Sequence, residues 1–151
     1  MKKIIICILM SLPFFVNAQK IKVDSKTHQV TIDGVNSFKI DRTGCGWGVD
    51  CYFEVYDIDS NKIMRINLKS FKSPMEKSSY NTDGSITYFE FIFLATKTKA
   101  EVDLFALKEE KVAKYILKNN LIVNGKLNDK AVEEFILVNG TEFSERAKRN
   151  K

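Results

Sequence analysis

Side chains suited to catalysis or metal binding are scarce in this 151-residue chain, which has one histidine, one tryptophan, three cysteines and two prolines. Any Cys-His or Ser-His-Asp nucleophile would have to use His28, and Ser25-Lys26-Thr27-His28 reads as an exposed turn in which a histidine is solvated. The longest apolar run, Ile4 to Phe15, has 12 residues, against about 20 for a spanning helix, so no retained transmembrane helix is expected. Charge of one sign is in only small excess, formally +5. With no recognition motif, the lysines read as solvated and nucleic acid is not an expected partner. Internal repeats and low-complexity tracts are also missing.

What is present begins with a leader. In "MKKIIICILMSLPFFVNAQ" two lysines precede the apolar run, and Val16-Asn17-Ala18 ends on a small residue, the layout of a signal peptide cut after Ala18. Cys7 lies inside the run, not at its end where a lipidated cysteine would stand, and leaves with residues 1–18. Loss of Lys2 and Lys3 lowers the formal charge to about +3. The remainder fits a single domain over residues 19–144, followed by a basic tail, "ERAKRNK" at 145–151, expected to be disordered. The expected location is exported, in the periplasm or secreted.

The body reads as strands first and helices last. A four-residue turn at 25–28 sets Val23 opposite Val30 and Ile21 opposite Ile32. A turn at 59–62 sets Val55 opposite Ile66 and Phe53 opposite Leu68, and one at 96–99 sets Phe93 opposite Val102 and Phe91 opposite Leu104. Each pairing puts apolar side chains on a shared face. Asp33-Gly34 is a turn signal before a strand starting near Ser37. The polar segment 72–85 is the longest loop, and "ITYFEFIFL" belongs inside the sheet because its composition would aggregate at an edge.

After Leu104 the period becomes helical. Val112, Tyr115 and Ile116 form one stripe, with Glu110 and Lys114 paired outside it. Asn128 caps a second helix with the stripe Val132, Phe135 and Ile136, and Asn139-Gly140 stops it. The eight residues "LIVNGKLN" join the two. The expected class is α+β: an antiparallel meander of six to seven strands followed by a C-terminal helical hairpin packed on the sheet. A leader ending "NAQ", a β-rich first part and "KYILKNNLIVNGKLNDKAVEEFILVNGTEFSER" resemble small exported proteins of unknown function of Bacteroidota type. That resemblance implies residence in the periplasm or outer envelope and brings no catalytic residues with it.

The stretch "TGCGWGVDC" asks for an explanation of its own. Cys45 and Cys51 are six apart, unlike thioredoxin or haem-attachment spacing, and two cysteines with one histidine cannot complete a structural zinc site. In an oxidising compartment the pair reads as a disulfide that fixes the loop presenting Trp47, the candidate binding residue. A phosphate-binding glycine loop would deliver its anion to a helix, and "CYFEVYD" has strand character. Pairing the cysteines directly would put Phe38 and Ile40 on the face opposite Phe53 and Val55, so a bulge among Gly44, Gly46 and Gly48 is expected to reset the register. "DIDSN", Asp57 to Asn61, copies the start of a calcium loop but has Lys62 where glycine is required and Leu68 where glutamate should be.

No metal, cofactor or catalytic residue is assigned. The leading expectation is a non-catalytic exported domain that binds a protein or envelope component through the rim around Trp47. The alternatives are a small envelope hydrolase drawing on Asp50, Glu54, Asp57 and Glu90, or a secreted enzyme inhibitor presenting the 43–51 loop.

Overall fold

A computed structural model describes residues 19–45, 51–103 and 106–149. Strands β1 (Ile21–Val23), β2 (Gln29–Ile32), β3 (Val35–Thr43), β4 (Tyr52–Tyr56), β5 (Lys62–Lys72), β6 (Ser85–Phe93) and β7 (Thr98–Asp103) form one antiparallel sheet in chain order. They are followed by α1 (Glu109–Lys118), the short hairpin β8 (Ile122–Val123) and β9 (Lys126–Leu127), α2 (Asp129–Asn139) and α3 (Glu142–Arg149). The class is α+β.

Alternation along each strand divides the sheet into two faces. One carries Phe38, Ile40, Phe53, Val55, Ile66, Phe89, Phe91 and Phe93, none of which is exposed. On this face α1 lies over β1 and β3, and α2 lies beside β7. Phe135 of α2 packs on Phe91 and Phe93, with ring centroids at 5.3 and 6.1 Å, and Tyr115 of α1 lies 5.9 Å from Phe91. Asn128 caps α2 with its side chain, and Gly140, at φ +54°, ends it. Of the two predicted stripes, Val112, Ile116, Val132 and Phe135 are buried, while Tyr115 and Ile136 are half-buried.

The first hairpin has the expected register, with Ile21 opposite Ile32 and Val23 opposite Val30. In the second, Phe53 faces Ile66 and Val55 faces Met64. In the third, Phe91 faces Ala100 and Phe93 faces Thr98. Both corrections shift the partner by an even number of residues, so the faces survive although the registers do not. The turns are responsible: the chain reverses over 57–61 and 94–97, earlier than expected. The Asp57 carboxylate accepts from the Asn61 and Asp59 backbone N–H groups at 2.8 and 3.0 Å, which draws the first of these turns forward. Strand β3 starts at Val35, because Asp33 and Gly34, both at positive φ, form a two-residue turn.

Strands β3 and β4 pair without a bulge from Lys39–Tyr56 to Thr43–Tyr52, and Ile40 lies opposite Val55. Gly44, just past the ladder, stands at φ +88°, while Gly46 and Gly48 of the expected bulge lie outside the described residues. The ladder's bulges fall elsewhere, between Val30 and Thr31 and between Val55 and Tyr56.

Two features depart from expectation. The connection between the helices is the β8–β9 hairpin, turning on Asn124 and Gly125, which are both at positive φ. The segment expected as a disordered tail from residue 145 forms most of α3. The chain bends at Gly140, whose carbonyl accepts from the Glu101 backbone N–H of edge strand β7 at 2.9 Å. It then crosses to the other face of the sheet, where Phe143 stacks on Tyr88 at 5.0 Å. Glu101, 2% exposed, accepts from the Ser144 N–H at 2.8 Å in the first turn of α3, and Arg146 pairs with Glu76. A carboxylate at a helix start is favoured by both the free N–H groups and the helix dipole.

Candidate functional site

Of the carboxylates singled out in the sequence, Glu54, Asp57 and Glu90 are described, and each is held in local pairs. Glu54, on β4, accepts from the Lys62 ammonium at 2.7 Å and the Tyr56 hydroxyl at 2.8 Å. The Lys62 bond, then the Tyr56 bond, hold its carboxyl below the usual glutamate range. Burial pushes Glu90 up, but hydrogen bonds from Asn67 and Lys99, at 3.0 and 3.1 Å, outweigh it and leave that carboxyl low as well. Glu54 and Glu90 share a face, yet strand β5 runs between them, which separates their strands by roughly 10 Å. Two ionised carboxylates, each engaged by lysine, lack the protonated partner that acid-assisted hydrolysis uses. Asp57 caps its turn, and Asp50 lies outside the described residues. Among the described residues no cluster of three or more His, Cys, Asp or Glu side chains could hold a metal ion.

Lys126, on β9, pairs with Asp59 and lies 3.7 Å from Asp57. At the turn that copies a calcium loop, the cation present is therefore an ammonium from another element, and it ties β9 to the β4–β5 turn. Burial raises the Asp57 carboxyl, but the Asn61 side-chain and backbone bonds, with Lys126 and Asp59, carry it below the aspartate range. Because the folded value lies below the unfolded one, the stability Asp57 contributes is complete above the unfolded value and is lost as pH falls through the folded one. Stability curves measured across that acid window should fall less steeply for Asp57→Asn than for the wild type.

His28 is not a freely solvated turn residue. Its ring, one-third exposed, sits between Asp41 at 3.8 Å and Glu109, the first residue of α1, at 3.5 Å. This arrangement joins the β1–β2 turn to β3 and α1, and among the described residues no serine or cysteine is hydrogen-bonded to the imidazole.

Cys45 and Cys51 form a disulfide, with Cα atoms 4.2 Å apart. Cys51 is buried and its carbonyl accepts from the Leu68 N–H at 2.9 Å, so the loop is anchored to β5 on one side. Replacing both cysteines with alanine should cost about 2 kcal/mol, as expected for a short closed ring. A chemical denaturation midpoint unchanged from wild type would contradict this. Trp47 lies outside the described residues.

The described residues also form a concavity that the sequence did not reveal. A cleft of about 520 Å³ opens between the β2–β3 turn and the β8–β9 hairpin. Ile32, Leu117 and Ile122 give it an apolar floor, and Val35, Ile58 and Val123 stand around it, 71%, 49% and 45% exposed. Gln19, Asn36, Ser37, Asn120 and Asn124 are the polar residues of the lining, which contains no ionisable side chain. Gly125 closes one end: its carbonyl accepts from the Ile58 N–H at 2.9 Å. A Cβ there would come within 2.7 Å of both Ile58 Cβ and the Ser37 carbonyl oxygen. The available signals were the Asn124-Gly125 hairpin dipeptide and the unmatched Val35 and Val123, but only the tertiary fold brings residues 32–37, 58 and 117–125 together. No protein-family profile, curated protein or solved structure matches the chain, so its function must be argued from this geometry.

Proposed function

We propose that the chain is an exported, non-catalytic binding domain of the bacterial envelope whose principal contact is the cleft between the β2–β3 turn and the β8–β9 hairpin. The observation that carries this reading is the gathering of exposed Val35, Ile58 and Val123 around one concave surface whose lining has uncharged polar residues and no ionisable side chain. Aliphatic surface held open to water beside fixed polar groups is the usual composition of a binding site. The disulfide and the leader layout support export, and the resemblance to small exported Bacteroidota-type proteins points the same way. Trp47, in the loop tied by Cys45 and Cys51, is proposed as a second contact.

The test is recovery of partners from envelope extract by wild type, Val35→Asp/Val123→Asp and Trp47→Ala, all verified as folded by circular dichroism. The cleft variant is expected to lose at least tenfold of a partner that the wild type retains. Equal recovery by the wild type and the cleft variant would overturn the cleft as the contact.

A further inference from the structure

We propose that the end of the sheet bearing the β5–β6 connection, residues 73–84, docks on an anionic lipid surface together with the last turn of α3. This connection is long but closed on itself. The Ser73 N–H donates to the Gly84 carbonyl at 2.8 Å, and the Asn81 side chain bonds both the Ser85 N–H and the Ser85 carbonyl at 3.1 Å. Gly84, at φ +68°, lies so close to the Ser73 carbonyl oxygen that a Cβ would stand 2.3 Å from it. Within this pinned connection Met75 and Tyr80 are 84% and 100% exposed. Two exposed apolar side chains alone would be ordinary surface. Their setting singles them out.

Helix α3 supplies the charge. It starts at Glu101, passes Tyr88 and reaches Glu76 of the connection, where Arg146 is paired. Its basic last turn therefore lies beside the connection. The carboxylates there are engaged, Glu76 by Arg146 and Asp83 by Lys72. Lys77, Lys148 and Arg149 are exposed and, among the described residues, form no ion pair. Unpaired cations around a tyrosine and a methionine match an anionic lipid surface: the cations meet phosphate, the phenol ring sits at headgroup level, and the thioether packs on acyl chain. A stable protein partner would need a shaped contact of about 800 Å² per side, whereas a projecting loop tip and a few free cations suffice for a fluid surface. Turns of a meander alternate between its two ends. The β2–β3 and β4–β5 turns that frame the cleft are at one end and the 73–84 connection is at the other, so docking leaves the cleft facing away from the lipid. The lipid contact does not depend on the cleft, and failure of either leaves the other standing.

The full-length chain, expressed with its leader and recovered from the exported fraction, is sedimented with vesicles of phosphatidylcholine alone or of phosphatidylcholine and phosphatidylglycerol in equal parts. Binding is expected to the mixed vesicles only, and should weaken as salt is added. Lys77→Glu/Lys148→Glu/Arg149→Glu should bind the mixed vesicles at least about tenfold more weakly. Met75→Ser/Tyr80→Ser should also bind more weakly but keep the salt dependence, and Leu137→Ala, on α2, should bind as the wild type does. All variants are first shown to be folded by circular dichroism. Equal binding to both kinds of vesicle, or to neither, overturns the proposal, as does wild-type binding by the charge-reversed variant. Retention on immobilised polyglutamate without binding to mixed vesicles would assign the surface to an acidic polypeptide and overturn it too.

Discussion

Replacing Phe91 with alanine is expected to destabilise the domain by about 3–5 kcal/mol, the range for removing a buried phenyl ring. Phe91 is on β6, between β5 and β7, and is fully buried. Its ring meets Tyr115 of α1 and Phe135 of α2, so it is where both helices and the sheet come together. Truncation removes the transfer energy of the ring and leaves a cavity that three separate elements would have to close at once. Against a total stability of about 5–15 kcal/mol for a domain of this kind, such a loss approaches unfolding. Urea titration should show a lower midpoint with little change in slope. Leu137→Ala, on the exposed side of α2 with 87% of its surface free, should stay within about 0.5 kcal/mol of wild type. A Phe91→Ala loss as small as that of Leu137→Ala would refute the packing described.

Gly125→Ala should cost about 2–5 kcal/mol for two separable reasons. The first is conformational: at φ +74° an L side chain pays about 1–2 kcal/mol. The second is steric, since the added carbon would press on Ile58 and on the backbone carbonyl of Ser37, both 2.7 Å away. Relieving such a clash typically costs about 1–3 kcal/mol, because a backbone atom cannot rotate aside. Gly34 separates the two contributions. It also has positive φ, +87°, but a Cβ there meets nothing within 4 Å. Gly34→Ala should therefore show only the conformational part, and Gly125→Ala should exceed it by at least 1 kcal/mol in denaturation. Equal losses would mean that the β8–β9 hairpin is not seated against β3 and the β4–β5 turn.

Faces were more legible in the sequence than registers. The hairpin pairings put Phe53 with Val55, and Phe91 with Phe93, on shared apolar faces, and all four are buried. Register depends on where each turn closes, and that was decided by side-chain hydrogen bonding at Asp57 and by a reversal at residues 94–97, neither of which periodicity detects. The β8–β9 hairpin was hidden because two-residue strands are too short to show alternation. Helix α3 was hidden because most of its side chains are charged. Its hold on the sheet comes from Phe143, Arg146 and a backbone N–H, which bind Tyr88, Glu76 and Glu101 on distant parts of the chain. The cleft was illegible for a related reason: its walls come from three separated stretches, none of which carries a motif.

The bend at Gly140 also sets the order in which the molecule becomes safe from its neighbours. Each strand of the sheet pairs with the next along the chain, so the meander can assemble from short-range closures as the polypeptide emerges. Strand β7 is then the open edge of a largely apolar sheet, and its backbone hydrogen-bonding groups face outward until Gly140 and α3 arrive. Residues 140–149 thus serve as the stopper of a growing sheet. Removing them would uncover the Glu101 N–H on that edge, the kind of unpaired strand edge on which chains associate.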